Sequence, residues 1–184
     1  MTRIVAGLAK GRPLAVPDRG TRPTSDRARE ALFNTLAGLV DLDGARVLDL
    51  YAGTGAVGLE ALSRGAAHVT FVESDRTAAA TVQRNVDAVG LPGAVVVRTT
   101  VEAYLGAAAE APVDFAYVDP PYALDEDTLA GVLAALAEPG RLAPGGVVVV
   151  ERSARGAEPR WPSVIESVKQ KRYGEGLLWY GQRR

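Results

Sequence analysis

The sequence predicts an α/β fold: a mostly parallel, Rossmann-like sheet with a C-terminal antiparallel hairpin, plus a small N-terminal hairpin-and-helix extension. Three observations carry this. From Ala45 onward, short β-branched runs alternate with helix-length stretches, the pattern of a parallel sheet covered on both faces. The first of these strands leads through a glycine turn, Gly53-Thr54-Gly55, into a helix. Two terminal strand patterns, Val164 to Lys171 and Gly176 to Gln182, flank the turn Tyr173-Gly174-Glu175-Gly176 and read as a hairpin on the sheet edge.

Taken in order, Ile4-Val5-Ala6 and Leu14-Ala15-Val16 are short apolar stretches around Gly7, Gly11 and Pro13, a plausible hairpin. Ala28, Ala31, Leu32, Thr35, Leu36 and Leu39 then recur at helical spacing. Ser25 or Asp26 caps that helix and Gly38 stands near its end. Its periodicity assigns Arg22, Arg27, Arg29 and Glu30 to the mouth or polar side. Strands follow at Arg46 to Leu50, His68 to Glu73, Ala94 to Arg98, Val113 to Asp119 and Gly146 to Glu151, with helices at Val57 to Arg64, Arg76 to Val89, Val101 to Ala108 and Glu126 to Leu136. Residues 1–40 form the basic extension, expected to contact the substrate, and residues 41–184 the main domain.

Composition narrows the class. The 184 residues are 47% hydrophobic and 23% charged, an ordinary globular balance. No cysteine means no disulfide framework, thiol nucleophile or Cys-ligated zinc, and one histidine argues against a His-rich metal site, so no metal is expected. No apolar run approaches the roughly 20 residues that span a bilayer, so a cytoplasmic protein with no membrane partner is expected. The net charge of −1 conceals a partition: residues 1–40 carry +4, residues 41–140 carry −10 and residues 141–184 carry +5. The two basic ends could come together as one face for an anionic partner.

The glycines at 53, 55 and 58 satisfy a dinucleotide fingerprint, and Glu73 ends the next strand 20 residues after Gly53, where such folds place a carboxylate on ribose hydroxyls. The loop alone leaves NAD and other adenosine cofactors open. Asp49 tips the balance, because an acid there opposes a pyrophosphate but suits the ammonium end of S-adenosylmethionine (SAM). Its alternative role is to cap the following helix, and that of Glu73 is a solvated strand end. The segment resembles the first motif of class I SAM-dependent methyltransferases.

A second motif, Val113 to Asp119 followed by Pro120-Pro121-Tyr122, is a strand running into a stiff turn that displays carbonyl acceptors. Asp119 adds a carboxylate and Tyr122 a flat ring. Acceptors beside an aromatic platform suit a planar group bearing an NH₂. An exocyclic base amine is a poor nucleophile until hydrogen bonds orient its lone pair, and a base stacked on Tyr122 would have left its helix.

Together the two motifs resemble the amino-methyltransferase branch of class I. Arg3-Ile4-Val5-Ala6-Gly7, Lys10-Gly11-Arg12-Pro13-Leu14, the block Arg22 to Asn34 and Leu59 to Ala66 closely resemble the RsmD family of bacterial 16S rRNA guanine-N2 methyltransferases. The resemblance implies SAM as methyl donor and an assembled small (30S) subunit as substrate. It assigns Asp49, Tyr51, Gly53, Thr54, Gly55, Glu73, Ser74 and Val101 to the cofactor. Asp119, Pro120 and Tyr122 fall to catalysis, and Arg3, Lys10, Arg12, Arg22, Thr24, Arg27 and Pro121 to the substrate. Related enzymes often carry an acid near the adenine where this chain has Thr100, which leaves adenine to backbone groups near Val101.

His68 reads as structural, and Trp161 and Trp179 as packing against the sheet edge. An amino-methyltransferase of DNA adenine and a non-catalytic RNA-binding assembly factor are the competing functions, with a NAD-linked oxidoreductase behind them. The intact Asp-Pro-Pro-Tyr and glycine loop oppose a mere binding module, and the chain leaves no length for a DNA-reading domain.

Overall fold

The computed structural model describes residues 1–17 and 24–184. Its elements are β1 (Thr2–Arg3), β2 (Pro13–Leu14), α1 (Asp26–Leu36), β3 (Arg46–Leu50), α2 (Ala56–Ser63), β4 (His68–Val72), α3 (Arg76–Val89), β5 (Ala94–Val97), α4 (Val101–Gly106), β6 (Val113–Val118), α5 (Glu126–Ala137), β7 (Leu142–Ser153), β8 (Ile165–Tyr173) and β9 (Gly176–Arg183). Seven strands form one sheet in the order β5-β4-β3-β6-β7-β9-β8. β3 pairs in parallel with both β4 and β6, and β6 with β7, while β9 pairs antiparallel with β7 and β8. β3 is therefore the strand from which the chain turns first one way and then the other. Folds of this kind bind ligands beyond the carboxyl ends of the strands at such a point.

Strand alternation sorts the core onto two faces. Val47, Phe71, Phe115, Tyr117, Val147, Val149 and Tyr180 point to the side covered by the N-terminal segment, α1, α2 and α3. Leu48, Leu50, Ala116, Val118, Val148 and Val150 point to the side covered by α4 and α5. Ile4, Leu14, Leu32, Phe33 and Leu36 belong to the first cluster, so the N-terminal segment shares a core with the sheet. Phe33 meets Phe115 edge-on at 6.4 Å and 81°, a pairing worth about 0.5–1.5 kcal/mol beyond its buried area.

The α1 cap is Ser25, whose hydroxyl accepts from the Ala28 N–H at 3.1 Å. Two expectations change. β7 begins at Leu142 rather than Gly146: Pro144-Gly145-Gly146 resembles a turn but is absorbed as an irregularity in the register between β6 and β7. Arg29 is not on the polar side of α1. It is fully buried, because Glu60 of the equally buried α2 pulls its guanidinium inward. His68 Nε2 lies 3.2 Å from the Thr70 hydroxyl, and Trp179 and Trp161 pack in the core cluster under α4 and α5. Among the described residues no helix is long and apolar enough to cross a membrane.

Candidate active site

Period-two alternation on adjacent strands brings four carboxylates to one sheet face. Asp49 lies beside Phe71 of β4 on one side and Tyr117 of β6 on the other, so Glu73 and Asp119, two residues further along, share its face. Val118 pairs with Val150, which puts Glu151 next to Asp119. Glu73, Asp49, Asp119 and Glu151 thus stand toward the carboxyl ends of β4, β3, β6 and β7.

The glycine turn is shaped by conformation and space. Gly53 and Gly55 have φ of +61° and +78°, which side chains rarely tolerate. A Cβ on Gly58 would strike the Phe71 ring and Val69, so only glycine lets α2 approach β4. Tyr51 also has a left-handed φ, +58°, a conformation costing a non-glycine residue on the order of 1 kcal/mol. Its hydroxyl is buried without a hydrogen-bond partner among the described residues. Burial pushes it up to about 12, with the Glu102 charge adding to the rise. Glu102, two residues after Thr100, is thus an acid whose charge reaches Tyr51. Thr100 itself caps α4, accepting from Ala103 N at 3.2 Å, next to the buried Val101.

Asp49 is 2% exposed and accepts from Gly58 N at 3.0 Å. The capping contact is therefore made, and it occupies one carboxyl oxygen. Desolvation pushes Asp49 up to about 8, against the pull of that hydrogen bond and helped by the Glu73 charge. A buried carboxyl under this strain gains from a cation. Glu73 accepts from Gly53 N at 2.9 Å and Asp75 N at 3.0 Å, one bond per oxygen, and keeps lone pairs for a diol. Thr54 is held from below, its carbonyl accepting from Asn85 at 2.9 Å, and Ser74 is exposed beside Glu73. Residues of this chemistry fit an adenosine cofactor that carries an ammonium group. The unpartnered Tyr51 hydroxyl is a further polar group available there.

Burial, then the charges of Glu151 and Asp49, push the Asp119 carboxyl well above the usual carboxylate range. Pro120 is buried, Pro121 exposed and Tyr122 58% exposed, so the turn presents its ring outward. Arg152 braces the turn from the opposite sheet face. It donates to the carbonyls of Pro121 at 3.2 Å and Leu124 at 2.8 Å and pairs with Glu126 at 2.8 Å. Neither Glu151 nor Arg152 was singled out in the sequence, because both follow a featureless valine run. Tyr117 donates its hydroxyl to Glu151 Oε2.

The basic residues of the extension separate. Arg3, Lys10 and Arg27 line one hollow of about 250 Å³ together with Asp26 and Glu30. Arg3 lies 3.6 Å from Asp26. Arg12 instead caps the C-terminus of α3, donating to the carbonyls of Ala88 and Val89. Arg22 lies outside the described residues. The tail does meet the N-terminal segment: Gln182 donates to Leu39 O at 3.2 Å.

A family model described as conserved hypothetical protein 95 matches residues 2–182. The chain is 38% identical over 176 residues to ribosomal RNA small subunit methyltransferase D of Escherichia coli (strain K12), covering 94% of this chain and 85% of that one. A solved structure from Escherichia coli, provisionally named a methyltransferase, superposes with a TM-score of 0.85 at 36% identity, covering 99% and 97% of the two chains. A SAM-dependent methyltransferase structure from Streptococcus mutans, also provisionally named, shares the fold at a TM-score of 0.70 and 16% identity, over 85% of this chain and 48% of that one. The architecture is that of class I SAM-dependent methyltransferases.

Proposed function

The chain belongs to the RsmD family, and from that premise we propose that it transfers a methyl group from SAM to the exocyclic N2 amine of a guanine in 16S rRNA of the small ribosomal subunit, in the cytoplasm. One observation carries the reading. The Asp119-Pro120-Pro121-Tyr122 turn, built to hold an amine, shares a sheet face with the Asp49 and Glu73 carboxyls beside the glycine turn.

SAM, when bound, supplies a methyl group on a sulfonium, an electrophile for an amine. Asp49 answers the ammonium end, Glu73 the ribose hydroxyls, and the backbone at Gly53 and Gly55 allows close approach. Tyr51, Thr54, Ser74 and Val101 complete the walls, with the adenine near Val101. Asp119 Oδ and the Pro120 carbonyl accept the two N2–H bonds and turn the nitrogen lone pair toward the methyl. Tyr122 stacks on the base, which has left its helix, and Pro121 stiffens the support. Asp119 would take the proton that the amine sheds on methylation, the donor leaving as the neutral thioether. Positioning and electrostatics do the rest. Arg3, Lys10, Arg12, Arg22, Thr24 and Arg27 lie in the segment proposed to meet the RNA.

The test is methylation of small-subunit particles, free 16S rRNA and DNA with labelled SAM, followed by nucleoside analysis. The expected product is N2-methylguanosine, formed best on particles. Label in N6-methyladenine of DNA, or in no nucleic acid, would overturn the proposal.

A further inference from the structure

The mechanism leaves one acidic side chain at the site unused. Glu151 stands beside Asp119 at the end of β7, on the same face, on a strand about 4.8 Å away. Its Oε2 accepts from Tyr117. On its other side, a Cβ at Gly176 would come within 3.1 Å of Oε1, so a residue without a side chain leaves room for that oxygen. Among the described residues Glu151 forms no ion pair; the neighbouring Arg152 points to the opposite face and serves the Pro121 turn. Two acids side by side without a cation are poorly disposed toward each other. They are well disposed toward a ligand edge made of adjacent N–H donors.

Guanine has such an edge: N1–H lies directly beside the two N2–H bonds. Adenine does not, because the ring nitrogen beside its amine is a lone-pair acceptor and would face a carboxylate repulsively. We propose that Glu151 is a specificity-determining residue that accepts the N1–H of the target guanine while Asp119 and Pro120 hold its N2 amine. This rests on the guanine-N2 reading above. Tyr117 aims the Glu151 carboxylate.

The probe is 2-aminopurine, which keeps the N2 amine but has no hydrogen on N1, placed at the mapped target position of reconstituted particles. The ratio of kcat/KM on guanine to kcat/KM on 2-aminopurine is measured for the wild type and for Glu151→Gln. The two rates of one variant share any loss of folded protein, so the ratio reads specificity alone. The wild type is expected to prefer guanine by about 100-fold, and Glu151→Gln to shrink that preference by about 10-fold or more. An unchanged ratio in Glu151→Gln, with N2-methylguanosine still the wild-type product, would overturn the role of Glu151 alone. A wild-type product other than N2-methylguanosine would overturn the guanine reading and this inference with it.

Discussion

The Arg29 guanidinium donates to Glu60 Oε2 at 3.3 Å with both side chains fully buried, one on α1 and the other on α2. Glu60 also accepts from Val5 N at 2.9 Å, Ala6 N at 3.0 Å and Arg64 at 2.9 Å, while Arg29 reaches Asp26 and the Arg3 and Thr24 carbonyls. One carboxylate thereby fastens the N-terminal segment to the sheet's covering helix. Glu60→Ala removes the fully buried partner of Arg29, leaving it the partly exposed Asp26 and two carbonyls, and strands three further donors. It is expected to cost about 3–5 kcal/mol of unfolding free energy in urea titrations. A loss below about 1 kcal/mol would show that the network contributes little.

Asp119→Ala is expected to lower kcat at least 100-fold while SAM affinity measured by calorimetry stays within about threefold, since an acceptor aimed at developing charge carries an effect of this size. Near-normal turnover would remove Asp119 from the chemistry.

A pH profile separates the two forms of that carboxyl. Only the ionised form accepts from both the amine and its departing proton, and burial with Glu151 and Asp49 nearby holds Asp119 protonated well past the usual carboxylate range. The kcat/KM curve is therefore expected to rise with pH through an apparent value well above 4. Glu151→Gln removes one like charge and should move that limb to lower pH whatever it does to the plateau. A limb that stays in place would mean that Glu151 exerts no field on Asp119.

Local pattern carried much of this site into view, and long-range partners account for what stayed hidden. Asp49 and Asp119 could be found because each lies near a strand end before a glycine or proline turn, and Glu73 because it ends the next strand 20 residues after Gly53; strand alternation then forces all three onto one face. Arg29 could not, since helical periodicity assigns it outward and only Glu60, 31 residues away, draws it in. Arg12 looks like a free cation until α3 presents its carbonyls, 76 and 77 residues later. Glu151 sits in no motif; its meaning comes from the β6–β7 register. The same holds for the start of β7, where a turn-like Pro-Gly-Gly is overridden by pairing with β6.

Salt dependence tests the hollow lined by Arg3, Lys10 and Arg27. If these side chains meet phosphates, Lys10→Ala with Arg27→Ala should weaken particle binding and reduce the slope of log K against log salt by about 0.7–0.9 per lost contact. Arg12→Ala should instead lower stability, because its guanidinium is committed to the end of α3. An unchanged slope in the double variant would move the RNA contact elsewhere.

Asp49 sets stability against cofactor affinity. Its folded value near 8 lies far above the ordinary carboxylate value of 3.8, so its contribution to stability is fully present below pH 4 and is lost as pH rises toward 8. Each pH unit in that window costs about 1.4 kcal/mol. Asp49→Asn keeps an oxygen for the Gly58 N–H and removes the titration. At pH 8 the free variant should melt several degrees higher than the wild type, with a flatter dependence of melting temperature on pH between 4 and 8. The same substitution removes the charge that answers the ammonium, so SAM affinity should fall about tenfold or more. A variant that is more stable yet binds SAM normally would confine Asp49 to capping α2. A variant that loses both stability and binding would mean that the carboxylate is ionised in the free protein, already satisfied by the helix.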